Sequence, residues 1–256
     1  MCIDGAGIEE NAVFSLYGCW RDFYLWAWDA YGLTDDSWDG AGLKDACNIT
    51  LPFAKVLNSI FLINYALSDN HDLQWHSTDD YVSSSRAADN RFHGPFYQRF
   101  IEYNGSSFAD SEVGRFAARD RTNLHCPLFN FRSFYATATS RAGTMVHESW
   151  HHWQQKHGFV SSHPQCSGGG DCDYYYFHGI GAYEFGELDR YNTDPSHFHF
   201  HSPRQVQVEF LADLAELSYP WVPNAVTVMA RNYGNLRLAN EFVNAVAYRI
   251  GDPRPW

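Results

Sequence analysis

The chain of 256 residues predicts an α+β fold, mostly α-helical, with a small antiparallel or mixed sheet set beside one particular helix. Three observations carry this expectation. A hydrophobic content of 45% and an aromatic content of 17% suffice to fill one core. Several segments repeat apolar residues at helical spacing, and one aromatic segment, 126–138, alternates in part as a strand does. No repeat, low-complexity tract or linker rich in Pro, Gly or Ser divides the chain. Residues 1–256 therefore read as a single unit, with 1–125 mainly helical and 126–256 carrying the strand, two chemically distinctive helices and an insertion.

Taken in order, residues 9–31 read as one long aromatic helix. The stretch "NITLPFAKVLNSIFLINYAL" (48–67) reads as a second, with Thr50 or Asn48 as cap and Pro52 in the first turn. Residues 68–124 are polar and carry no clear period. "CPLFNFRSFYATA" (126–138) is the strand candidate. A helix over 139–156 follows, with Gly158 as its stop. Residues 159–201 form a long excursion rich in Gly, Tyr and His. The next helix, 203–218, starts with Ser202 as cap, Pro203 at the first position and Gln205 completing a capping box. One or two more helices fall between 224 and 249.

Charge narrows the partners. Eighteen basic against thirty acidic residues leave a net charge of -12 with no basic stripe, which argues against a nucleic-acid partner and an anionic membrane surface. No apolar run reaches the ~18 residues of a membrane span. The six cysteines are an even set, and "CSGGGDC" could close a short disulfide loop between Cys166 and Cys172. These features point to a secreted or periplasmic protein. The opening Met-Cys-Ile-Asp-Gly lacks the regions of a signal peptide, and Met1 directly before Cys2 fits a lipoprotein-derived chain whose signal was trimmed.

The chemistry concentrates in "GTMVHESWHHWQQKHG" (143–158). His147 and His151 are four apart on the expected helix and share one face, so two imidazoles converge on one point. Neutral imidazole nitrogens at that spacing suit zinc, and Glu148 stands beside them where it can take a proton from an attacking water. Val146, Trp150 and Trp153 form a separate apolar stripe, so the histidines are not needed to fill the core. Gly143, one turn earlier, leaves room for close approach of a neighbouring element.

A tetrahedral catalytic zinc needs a third protein ligand, and two candidates compete. His157 has the spacing of the metzincin pattern, but Gln154 stands where that pattern has a helix-breaking glycine. An unbroken helix would carry His157 about 9 Å beyond His151. The other candidate is Glu209 in "SPRQVQVEFLADLAELS". With Val206 at zero, Glu209, Asp213 and Glu216 fall at about 300°, 340° and 280° on a helix otherwise apolar almost all round. Three acids without a Lys or Arg among them suit a cation, with Asp213 one turn on to orient a ligating histidine.

In these residues the chain resembles the gluzincins, the thermolysin-like branch of zinc metallopeptidases, where His-Glu-x-x-His is completed by Glu-x-x-x-Asp on a later helix. The resemblance covers 139–158 and 202–218, about a quarter of the chain. It implies a mostly helical zincin-like fold and a metalloendopeptidase holding zinc through His147, His151 and Glu209, with Asp213 behind them. Glu148 would be general base on the water and then proton donor to the leaving amine. The strand at 126–138 would pair with an extended peptide or protein substrate. Of the donors that the excursion offers, which include His178, Tyr183 or Tyr191 would steady the oxyanion. His197, His199 and His201 alternate as on a strand, either as a second metal site or as a solvated loop. Two other readings stand beside this one: a zinc hydrolase acting on a non-peptide substrate, and a catalytically inactive binding protein of the same fold.

Overall fold

Gly18 and Cys19 divide the aromatic stretch expected as one helix over 9–31 into two, because both take a positive φ (54° and 58°) and turn the chain back. The resulting helices are α1 (Gly5–Tyr17) and α2 (Arg21–Ala30). Cys19 is thereby brought to Cys47, and the two form a disulfide with Cα atoms 5.3 Å apart across 28 residues. Closing a loop of that length stabilises the fold by about 3 to 4 kcal/mol on chain-entropy grounds. These coordinates are a computed structural model and describe residues 5–31, 33, 42–67, 108–109, 122–123, 137–156 and 202–252.

The remaining helices are α3 (Pro52–Tyr65), α4 (Ala138–Lys156), α5 (Pro203–Glu216) and α6 (Asn224–Glu241). Pro52 opens α3 as expected, but Leu51 occupies the cap position. Asn48 instead organises the turn before it, its Oδ1 accepting from the backbone N–H and hydroxyl of Thr50. Ser202 caps α5, accepting from the Gln205 N–H at 3.1 Å, with Pro203 behind it. The region expected to hold one or two helices after 224 holds one, α6.

The expected sheet is corrected. The described residues are mostly helical, and besides isolated bridges at Leu67–Ser218 and Ile250–Asp252 their strands form one parallel ladder of two residues on each side, Phe108–Ala109 with Thr122–Asn123, too short to form a layer. The end of the strand candidate over 126–138 is helix instead. Thr137 caps α4, its Oγ1 accepting from the Ser140 N–H and its carbonyl from the Arg141 N–H. Aromatic alternation lost there to a capping residue followed by helix formers. Residues 126–136 lie outside the described residues. So do 157–201, and with them Tyr183, Tyr191, His157, His178, His197, His199, His201, Cys166 and Cys172.

Helix α5 packs on both α4 and α6, and α3 covers another side of α4. The main core joins Phe53, Leu57 and Ile60 of α3, Met145, Val146 and Trp150 of α4, and Phe210, Leu211 and Leu214 of α5. Val208 and Ala212, on another face of α5, enter a second cluster with Leu238, Phe242 and Ile250. Helix α5 is thus buried on several sides, as its nearly all-round apolar sequence requires. At the chain reversals, Tyr219 N–H donates to the Ala66 carbonyl at 2.9 Å and ties the end of α3 to the end of α5. No helix among the described residues is long and apolar enough to cross a membrane.

Candidate functional site

Helix α4 carries the site and is anchored at its first turn by buried polar groups. Glu9 Oε1 accepts from both the backbone N–H and the hydroxyl of Thr139, so a carboxylate from α1 satisfies an otherwise orphan helix-start donor. Next to it Arg141 pairs with Glu10 and donates to the Lys55 carbonyl of α3, while Asn58 donates to the other Glu10 oxygen. Burial pulls the Arg141 guanidinium down to about 9, still a cation at neutral pH. These contacts fix both the axial position and the roll of α4.

That roll sends Val146 and Trp150 into the core and sets His147 and His151 on one side. Their ring centroids lie 4.9 Å apart with planes inclined at 72°. At Zn–N distances of about 2.0 to 2.1 Å, rings so placed are near enough to share one metal. Glu148 is only 4% exposed, and its Oε2 has no hydrogen-bond partner among the described residues. Burial with nothing to compensate it pushes the carboxyl up to about 7.

The close approach expected at Gly143 is made by α5. A Cβ there would stand 3.2 Å from Gln207 Nε2 and 3.5 Å from Leu211 Cδ2. One turn on, His147 Nδ1 lies 3.1 Å from Gln207 Oε1. The face of α5 that meets α4 is therefore the one bearing Gln207 and Leu211. Glu209 and Asp213, each 1% exposed, sit elsewhere on that helix. Glu209 is about 200° round from Gln207 and about 160° from Leu211 at 100° per residue.

The structure thus brings together His147, His151, Glu148 and Gln207, while Glu209 and Asp213 are buried at other positions round α5. Among the described residues no group of three His, Cys, Asp or Glu side chains could hold a metal ion. In chemical kind the α4 residues fit zinc: two imidazoles in reach of one point, and a buried carboxylate oxygen without a partner. Among the described residues, no third ligand is gathered with them.

Gln207 went unnoticed in the sequence, although a signal was there. At about 100° from Val206 it sits on an otherwise apolar arc next to Leu211, and a buried amide in such a place needs a partner. No family model, curated protein or solved structure matches the chain.

Proposed function

We propose that the protein is a zinc-dependent hydrolase, and within that class a metalloendopeptidase, with the site centred on His147, Glu148 and His151. The observation that carries the reading is the Glu148 carboxyl, buried beside the two imidazoles with an oxygen that no described group satisfies. A buried unsatisfied carboxylate costs stability and so calls for a chemical reason.

His147 and His151 would hold the metal, with Glu209 as the third ligand that the gluzincin resemblance implies and His157 as its competitor. Zinc bound there supplies Lewis acidity, lowering the pKa of a coordinated water and polarising a carbonyl. Glu148 takes a proton from the attacking water and delivers it to the leaving amine, and a carboxyl near neutrality can do both. Burial around Glu148 excludes competing water and keeps that proton in place. Secretion into an oxidising compartment is supported by the Cys19–Cys47 disulfide.

Metal content by mass spectrometry, with hydrolysis of a mixed peptide library, tests the reading. About one zinc per chain is expected in the wild type. Loss of zinc in Glu209→Ala with retention in His157→Ala names Glu209 as third ligand, and the reverse names His157. Glu148→Gln should keep its zinc and lose hydrolysis by about 10² to 10⁴-fold. A protein that takes up no zinc when supplied with it sinks the proposal.

A further inference from the structure

Resting on the hydrolase reading for its purpose, though not for its test, a further role follows from the contact between α4 and α5. We propose that Gln207 is a positioning residue that holds His147 in the Nδ1–H tautomer, so that the ring's lone pair lies on Nε2.

The amide oxygen of Gln207 lies 3.1 Å from His147 Nδ1. An amide oxygen only accepts, so the ring nitrogen opposite it must carry the proton. In a neutral imidazole the other nitrogen then has the lone pair, the form a metal or a proton acceptor role requires. The geometry is held at both ends. Gln207 is 2% exposed, so its amide has no bulk water to turn towards. Its Nε2 and Cγ lie against Gly143, where a Cβ would stand at 3.2 and 3.3 Å, tight enough to displace the amide. Gly143 and His147 are one turn apart on the same face of α4, so a single side chain from α5 spans both. Ligating histidines commonly have their second nitrogen held in this way, and loss of the holding group weakens metal binding about 10 to 100-fold. The resemblance implies such a duty for Asp213, about 120° from Gln207 round α5; at His147 Nδ1 it is Gln207 that stands.

Nitrogen-15 NMR of the metal-free full chain at pH 8 reads the tautomer directly. His147 in the wild type should show its proton on Nδ1. Gln207→Met, similar in volume, should release the ring to its ordinary preference for the proton on Nε2. Gln207→Glu, which keeps an acceptor at the same reach, should restore the Nδ1–H form. Amide dispersion in the same spectra separates a local change from unfolding. If zinc binds as proposed, titration with zinc should show Gln207→Met weakened about 10 to 100-fold and Gln207→Glu rescued. A wild-type proton on Nε2, or a tautomer unchanged in Gln207→Met, overturns the role of Gln207. Failure to bind zinc with the tautomer as expected sinks the hydrolase reading alone.

Discussion

The two halves of α4 bury carboxylates in opposite ways. At its start Glu9 receives the Thr139 N–H and hydroxyl, and Glu10 receives Arg141 and Asn58. Two turns further on Glu148 is as thoroughly enclosed; its Oε2, like Glu9 Oε2, meets no partner among the described residues, but burial alone acts on the Glu148 carboxyl. Burial raises both Glu9 and Glu148, but hydrogen bonds to Thr139 and Thr137 and the charge of Arg141 oppose it at Glu9 alone. Partners in the first half offset part of the cost of burial, whereas the second half keeps its carboxyl buried without them.

The largest expected effect breaks the compensated half. Arg141→Met strips Glu10 of its buried counter-charge and should cost about 3 to 5 kcal/mol by denaturant unfolding, the range for one partner left alone in a buried pair. A loss under about 1 kcal/mol would mean that Asn58 and the helix start satisfy Glu10 without it.

The next sharpens the uncompensated half. A carboxyl raised from 4.5 to about 7 by burial disfavours the charged form in the folded protein. Stability is therefore greatest below about 4.5 and falls as pH rises through 7. In the metal-free protein Glu148→Gln should remove that fall, gaining on the order of 3 kcal/mol at pH 8 and nothing near pH 4. Unfolding curves of the two proteins at both pH values measure it, and a pH-independent difference would refute the assignment of burial as cause.

Thr139→Val, which keeps the backbone donor and removes the hydroxyl, should cost about 1 to 2 kcal/mol, since one of two hydrogen bonds to a buried carboxylate is lost. The smallest effect is expected at Gly143→Ala. A better helix former gains about 1 kcal/mol, and crowding of Gln207 removes a similar amount, so net stability changes by under about 1 kcal/mol. The His147 tautomer should nevertheless loosen, which nitrogen-15 NMR would show.

Much of α4 and α5 was legible beforehand. Four-residue spacing set His147 above His151, the Val146 and Trp150 stripe faced the core, and Ser202 with Pro203 marked the start of α5. The break at Gly18 and Cys19 was missed because apolar period persists through it, and the strand over 126–138 was misread at its end because the Thr137 cap outweighed local alternation.

Helical periodicity by itself determined which residues of α4 share a face, since that depends on rise and rotation within one element. Capping chemistry likewise determined where α5 begins. Only the tertiary structure decided that Glu10 meets Arg141 across 131 residues, that Cys19 meets Cys47, and that Gln207 reaches His147. A helix apolar almost all round has no preferred side in its sequence, so the roll of α5 was settled by which grooves of α4 and α6 its side chains could fill.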